Sequence, residues 1–392
     1  MKKVLIASTA LVAATLVSAG AASASEKIKL NLGGYSKWWV VAAQQDSSFQ
    51  SNHNTANIQG DYNNVDIKGD NEVYFGGSTT LDNGLKVGVD IQLEAGGHTD
   101  QSSDTIDESY VFIQGGFGKF IVGAKNNGTY LIHNTAPDAA GNWNEGGILT
   151  GGFSVAKPTN VQTITPLATG GNTTAIVTDG DAEGITYVSP TFYGFTAGAS
   201  YKPNVKEDDR GTTNLSTATA VASDVYGAGV LYANTFGGVG VKVDAGFATY
   251  AVEGTGTGGI VVGGGLGSSD VDEYSTGAQL SYAGFTLGGS YRKVNADATL
   301  SELSGDAFDV GLQYASGPYA VSIAYFQSKV DGSKVIAGDD EIEFYQASGK
   351  YNLGAGVDAL ASVGYASFED ESGLVQTKNE GWVVMTGLSL AF

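Results

Sequence analysis

From Leu85 to Glu94 the chain alternates without a break. Leu85, Val87, Val89, Ile91 and Leu93 share one face, and Lys86, Gly88, Asp90, Gln92 and Glu94 share the other. A helix would spread those apolar residues around its circumference, whereas a strand separates them cleanly. The same two-residue rhythm returns in Phe195–Tyr201, in Val239–Phe247 with Lys242 and Asp244 opposite, and in Phe308–Tyr314. The last stretch sets Trp382, Val384, Leu388, Leu390 and Phe392 on one side. A chain written this way folds as β-sheet, and two architectures accept it. In a soluble sandwich the apolar side is core and the polar side meets water. In a membrane barrel the apolar side meets lipid and the polar side a wet lumen.

The count and the connections choose between them. About sixteen such segments can be traced from Lys27 to Phe392, an even number as in outer-membrane barrels. Asp82–Gly84, Gly115–Lys119, Thr191–Gly194, Ala283–Gly284 and Ser316–Pro318 read as tight turns. Between them lie long polar stretches: Gln44–Gly69, Ala95–Asp107, Asn126–Glu183, Pro203–Ser223, Gly254–Val271, Lys293–Gly305, Lys329–Gly338 and Phe368–Lys378. Short turns at one end and long loops at the other are the mark of a transmembrane barrel. Lipid offers the backbone no hydrogen-bond partners, so the first strand must pair with the last. The expectation is an all-β fold: a 16-stranded antiparallel transmembrane β-barrel with short periplasmic turns and long outer loops. Tyr and Trp gather near segment ends, as at Trp38, Tyr201, Tyr282, Tyr314, Tyr365 and Trp382, where they would form interfacial girdles.

The opening residues read as an export signal. Lys2 and Lys3 precede an apolar stretch, Val4–Val17, and Ala22-Ser23-Ala24 supplies a small-residue cleavage site before Ser25. Residues 1–24 are therefore assigned to a signal peptide and 25–392 to the barrel domain. No later run approaches the ~18 apolar residues of a spanning helix. The 392 residues carry 41 Asp and Glu against 20 Lys and Arg, a net charge of -21 that disfavours nucleic acid as a partner. The absence of cysteine excludes disulfides, thiolate metal sites and cysteine nucleophiles. His53, His98 and His133 are isolated from one another, so neither a zinc centre nor an enzyme is indicated.

At Glu72–Leu85, at Ser109–Gly118 and at Gly184–Phe195 the chain resembles the general-diffusion trimeric porins of Gram-negative outer membranes, most closely the alphaproteobacterial type. The terminal strand Gly381–Phe392 adds their C-terminal Phe. The resemblance covers essentially the whole of 25–392. It implies an outer-membrane location, a homotrimer in a lipid and lipopolysaccharide environment, and Phe392 as the signal to the assembly machinery. It also implies that the third long loop, 126–183, folds inward and narrows the pore. One departure stands out. Arginine is common where Gly123-Ala124-Lys125 stands here, and only Arg210 and Arg292 are present.

Loop 126–183 also carries apolar residues that need burial, Leu131, Ile132, Trp143, Ile148, Leu149 and Phe153. Lys125, His133, Asp138, Asn142, Glu145 and Lys157 are the candidate constriction residues. Alternation places Lys29, Glu72, Lys86, Asp90, Glu94, Lys119, Lys242, Asp244 and Arg292 on the lumen wall, with Glu273 and Asp309. Gly254–Gly259 has the spacing of a dinucleotide turn but no βαβ setting. No cofactor is required; the acidic tracts Glu207–Asp209, Asp270–Glu273, Asp339–Glu343 and Glu369–Glu371 could bind Ca2+ or Mg2+ through oxygen ligands. The function expected is passive diffusion of ions and small hydrophilic solutes with a mild cation preference. A substrate-specific channel would need an aromatic ladder, for which Tyr130 and Trp143 are too few. An exported adhesin of repeated strands would need a fixed period that the chain lacks.

Overall fold

In a computed structural model of the chain, the described residues are 27–51, 62–95, 106–141, 143–144, 147–148, 155–164, 173–205, 221–253, 269–297, 303–333 and 336–392. They form β1 (Asn31–Gln45), α1 (Ser47–Ser51), β2 (Val65–Thr80), β3 (Lys86–Glu94), β4 (Ile106–Gly115) and β5 (Gly118–Ala124). Two short strands follow, β6 (Trp143–Asn144) and β7 (Gly147–Ile148). Then come β8 (Glu183–Val188), β9 (Phe195–Asn204), β10 (Val221–Phe236), β11 (Val239–Glu253), β12 (Ser269–Tyr282) and β13 (Phe285–Ala296). The chain ends with β14 (Gly305–Ser316), β15 (Tyr319–Val330), β16 (Asp340–Gly354), β17 (Val357–Glu369) and β18 (Lys378–Ala391).

All but β6 and β7 join one closed antiparallel barrel of sixteen strands, each paired with its chain neighbour. Two pairings depart from the hairpin rule. β5 pairs with β8 across the long loop, and β1 pairs with β18 from Tyr35↔Ala391 to Gln45↔Gly381. The seam is extended by Gly34 N–H donating to the Phe392 carbonyl at 3.0 Å and Phe392 N–H to the Gly34 carbonyl at 3.1 Å. The tight connections have the chemistry that twisted hairpins need. Ala283 (φ 50) with Gly284 (φ 89) and Tyr193 (φ 50) with Gly194 (φ 89) give two central residues at positive φ, as in a type I′ turn.

The apolar face of each strand points outward. Ile323 is 60% exposed, Val384 56% and Leu388 47%, values a soluble core would not show. Rings cross-pair along both rims: Phe285–Tyr314 and Tyr319–Tyr351 near the short turns, Tyr325–Tyr345 and Tyr365–Trp382 near the long loops. Several strands run a few residues further into the long connections than the sequence reading, β2 the furthest. β2 starts at Val65, so the first polar connection spans 46–64 and not Gln44–Gly69. Val65 and Ile67 face outward between Asp66, Lys68 and Asp70, and Gly69 and Asn71 then interrupt the apolar file.

A second difference lies inside. The inner face is not uniformly polar: Val225, Tyr250, Val252, Val271, Val294, Phe326, Ile342, Phe344 and Phe368 form a dry cluster, closed by Val155, Val161 and Ile164 of the long loop. Trp39, Val41, Leu360, Val383 and Met385 make a smaller one with Ala140.

Closure leaves little room at the seam. A Cβ on Gly387 would overlap the Trp38 carbonyl and come within 2.9 Å of the Trp39 ring. Overpacking of this kind costs about 1–3 kcal/mol. Gly387→Val should therefore reduce the fraction of protein that runs as a compact band on unheated denaturing gels, while Gly349→Val, on the outer face of β16, should not.

Candidate functional site

The loop between β5 and β8 is anchored to side chains on the inner face of the barrel. His133 Nδ1 lies 2.8 Å from Asp244 Oδ1 of β11, and Asn134 donates its backbone N–H (2.9 Å) and its Nδ2 (2.8 Å) to Asp244 Oδ2. The Ala136 N–H reaches Asp309 of β14 at 3.2 Å, and the Ala139 N–H reaches Ser322 Oγ of β15 at 2.9 Å. Ser322 Oγ in turn donates to Asp138 at 3.1 Å. Further along, the Ala156 N–H donates to Gln45 of β1 at 2.8 Å, and Gln162 N–H to Asp340 of β16 at 2.7 Å. The returning segment meets a buried ion pair, Arg292 with Glu273 at 2.5 Å, where Arg292 also donates to Thr178 Oγ1 at 3.1 Å. The described parts of loop 126–183 therefore lie inside the barrel, against strands from β9 round to β1. Buried charged hydrogen bonds of this type are each worth about 1.5–3 kcal/mol, and the apolar clusters add to them.

The base of the loop is held separately. Asn126 donates to Asp181, Asn127 donates to Asp179 at 2.6 Å and to the Ile176 carbonyl at 2.8 Å, and Lys202 of β9 donates to the Lys125 and Ala182 carbonyls. Burial pushes the Asp179 carboxyl up to about 6. Burial, with Asp107 and Glu108 nearby, pushes Asp181 up to about 8. Burial lowers the Lys157 amine.

The wall that the described part of the loop leaves uncovered is formed by the first half of β1 and by β2 to β5. The Tyr35 hydroxyl shares its one proton between Asp70 (2.7 Å) and Glu72 (2.9 Å), and Tyr74 donates to Glu72 (2.5 Å). Lys37 pairs with Asp70 at 3.3 Å, Gln92 donates to Asp90 at 3.1 Å, and Lys125 contacts both Glu108 oxygens at 2.5 and 2.6 Å. Lys119 sits 4.3 Å from the Phe112 ring centroid, and Lys125 5.7 Å from that of Tyr110. Carboxylate oxygens of Glu72, Glu94 and Asp107 lie within 4.8 Å of one another, a spacing at which a hard cation could be shared.

The expected wall residues fall into two groups. Glu72, Lys86, Asp90, Glu94 and Lys119 belong to the uncovered wall, where they are half-buried. Asp244, Glu273, Asp309 and Arg292 are on the inner face but buried beneath the loop, so they anchor it and do not meet the lumen. Lys242 is half-buried on β11, and Lys29 is exposed just before β1. Among the loop residues, Lys125 is paired to Glu108, His133 is buried on Asp244, and Asp138 rests on Ser322. Lys157 donates to the Pro158 and Val161 carbonyls of its own segment. Asn142 and Glu145 lie outside the described residues, as does Glu207–Asp209. Of the apolar loop residues, Ile132 is buried and Leu131 exposed; the side chains of Trp143, Ile148, Leu149 and Phe153 lie outside the described residues. Tyr35, Lys37, Asp70, Tyr74, Glu108, Tyr110, Phe112 and Lys202 were not anticipated. Extending the alternation from Val111 and Ile113 would have turned Glu108, Tyr110 and Phe112 inward.

A family model for Gram-negative porins matches residues 7–371. No curated protein matches. Among solved structures, an anion-selective porin from Comamonas acidovorans aligns with a TM-score of 0.63 at 18% identity, over 93% of this chain and 100% of that one. The outer membrane channel DcaP of Acinetobacter baumannii gives 0.59 at 12%, over 93% and 97%. The trimer form of OmpT, an outer membrane protein of Vibrio cholerae folded in vitro, gives 0.55 at 12%, over 94% and 100%. At these identities the likeness is one of fold.

The raised Asp181 carboxyl fixes a sign. Folded, it keeps a proton up to about 8, where an unfolded Asp loses it near 3.8. The contribution is full below the unfolded value and disappears as pH rises through the folded one. Hydrogen exchange of 173–183, corrected for intrinsic rate, should accelerate progressively from about pH 6 to pH 8 and level off above it, and Asp181→Asn should remove that rise and so abolish the step. The same step in that variant would assign it to another group.

Proposed function

Since this chain belongs to the Gram-negative porin family, an outer-membrane channel for diffusion, we propose that its conducting path runs between the internal loop and the β1–β5 wall and mildly prefers cations. The observation that carries this is the coverage of the inner face: the described part of the loop is bonded to strands from β9 round to the second half of β1, which leaves the first half of β1 and β2 to β5 facing the lumen. On that wall Asp70, Glu72, Asp90, Glu94 and Glu108 outnumber Lys37, Lys86, Lys119 and Lys125. A net excess of carboxylate on a wet passage with low-dielectric walls concentrates cations mildly, and salt screens this within about 8 Å at physiological ionic strength. Diffusion needs neither bond-making residues nor a cofactor. Of the acidic tracts, Glu273, Asp340 and Asp370 are buried, so divalent ions bridging to lipopolysaccharide phosphates would be held by exposed members such as Asp270 and Asp339 at the loop-side strand ends.

The same reading takes residues 1–24 as a cleaved export signal, Phe392 as the mark read by the assembly machinery, and the particle as a homotrimer. The outer face supports the last. Tyrosines line its loop-side rim from Tyr201 and Tyr226 to Tyr365, but β2 to β4 present Val65, Ile67, Val73 and Val111 there. Beside them Trp38 donates to Ser36 at 3.1 Å and Ser36 to Asn71 at 2.5 Å, a polar group costly against lipid and suited to a protein neighbour.

In a planar bilayer under a salt gradient, the reversal potential should show cation preference that fades as salt rises. Asp90→Asn should move it toward anions and Lys119→Gln toward cations; a parent pore that favours chloride in dilute salt would overturn the assignment. Removing 138–152 should raise conductance while the barrel stays folded. Native mass measurement in mild detergent should give three chains per particle.

A further inference from the structure

Six successive strands each present a glycine to one stretch of the internal loop. Gly198 of β9 lies against Gly128, Gly229 of β10 against Ile132, and Gly246 of β11 against Thr129. Gly277 of β12 lies against Asn134, Gly288 of β13 against Thr135 and Pro137, and Gly311 of β14 against Ala136. None of the six has a positive φ, so conformational freedom does not explain them. Glycine inside a strand weakens it and marks a close backbone approach, and the approach is visible. A Cβ on Gly198 or Gly277 would overlap the loop backbone. On Gly288 it would lie 3.1 Å from the Thr135 carbonyl, and on Gly311 3.0 Å from the Ala136 methyl.

The register shows that these contacts form one path. Gly198, Gly229 and Gly246 are direct cross-strand partners, and so are Gly288 and Gly311. Between them the path steps by two residues at Gly277, which follows Asp244↔Gly277, and again at Gly288, which follows Gln279↔Gly288. A level course around tilted strands produces such steps. The lengths agree: five inter-strand gaps of about 4.8 Å span ~24 Å, and nine steps from Gly128 to Pro137 reach at most ~30 Å.

We propose that this glycine track is the positioning element of the pore aperture: it seats the loop directly on the strand backbone, through the loop's own backbone at Gly198, Gly277 and Gly288 and through the Ile132, Thr129 and Ala136 side chains at Gly229, Gly246 and Gly311, so that the loop takes the least possible width from the lumen. The idea rests on the channel reading above. The polar anchors at Asp244, Asp309 and Ser322 fix where along the wall the loop runs, and the glycines fix how far it stands off.

A methyl swap tests this. Gly311→Ala places a methyl against that of Ala136 and should lower single-channel conductance and the size limit for neutral solutes together. Ala136→Gly in the same chain should restore both. The new methyl also approaches the Ile323 carbonyl at 2.9 Å, a strain that Ala136→Gly cannot relieve, so recovery separates loop position from strand distortion. Gly349→Ala, whose Cβ meets only the Ala320 carbonyl at 3.9 Å, should conduct like the parent. An unchanged or larger conductance in Gly311→Ala that still migrates as a folded barrel overturns the proposal, as does failure of the double variant to recover. A parent protein that conducts no ions would instead overturn the channel reading beneath it.

Discussion

Every strand of this barrel depends on a hydrogen bond that lipid cannot replace. A backbone N–H or C=O facing hydrocarbon costs several kcal/mol if unpaired, so a sheet in a membrane has no acceptable edge. The ladder from Tyr35↔Ala391 to Gln45↔Gly381 removes the last one. Closure then dictates the rest: an interior exists, its inner faces are shielded from lipid, and a long connection such as 126–183 has somewhere to go.

That interior is not simply a wet lining. Phe326, Phe344 and Phe368 face inward and are fully buried with Val161 and Ile164 of the loop. The chain thus exploits apolar residues twice, outward against lipid and inward against its own loop. Seating the loop by dispersion and exclusion of water, with charges such as Arg292–Glu273 buried at the contact, makes it part of the core. The uncovered wall is different in kind, with tyrosine hydroxyls, carboxylates and ammonium groups that hold one another while still half exposed.

The fold was legible because alternation with a period of two reports which face each residue takes, and the spacing of turns reports which end. Leu85–Glu94 announces its strand unaided. The site was less legible because parity does not say what covers a face. Asp244 and Asp90 look alike in sequence, since each alternates with valines, yet one is locked beneath Asn134 and the other stands open beside Gln92. Tyr110 and Phe112 were obscured for another reason: aromatic residues suit both a girdle and a lumen, so composition pulled against alternation. The dry cluster was hidden because Val252, Val271 and Phe326 stand near strand ends, where an inward apolar residue breaks the expected pattern.

The seam has a temporal consequence. Tyr35 and Ala391 are partners separated by roughly 350 residues, and pairings of such sequence separation are slow to form because the intervening chain must be ordered first. Every other neighbouring pair except β5 with β8 is a local hairpin. Until β18 is in place, β1 has one side unsatisfied, as exposed to wrong partners as any frayed sheet. Closure of this margin is the pairing of greatest sequence separation in the barrel, and it ends in the two hydrogen bonds exchanged by the Phe392 and Gly34 backbones. A chain short of its last strand is left with a sticky open margin and no route to the native state.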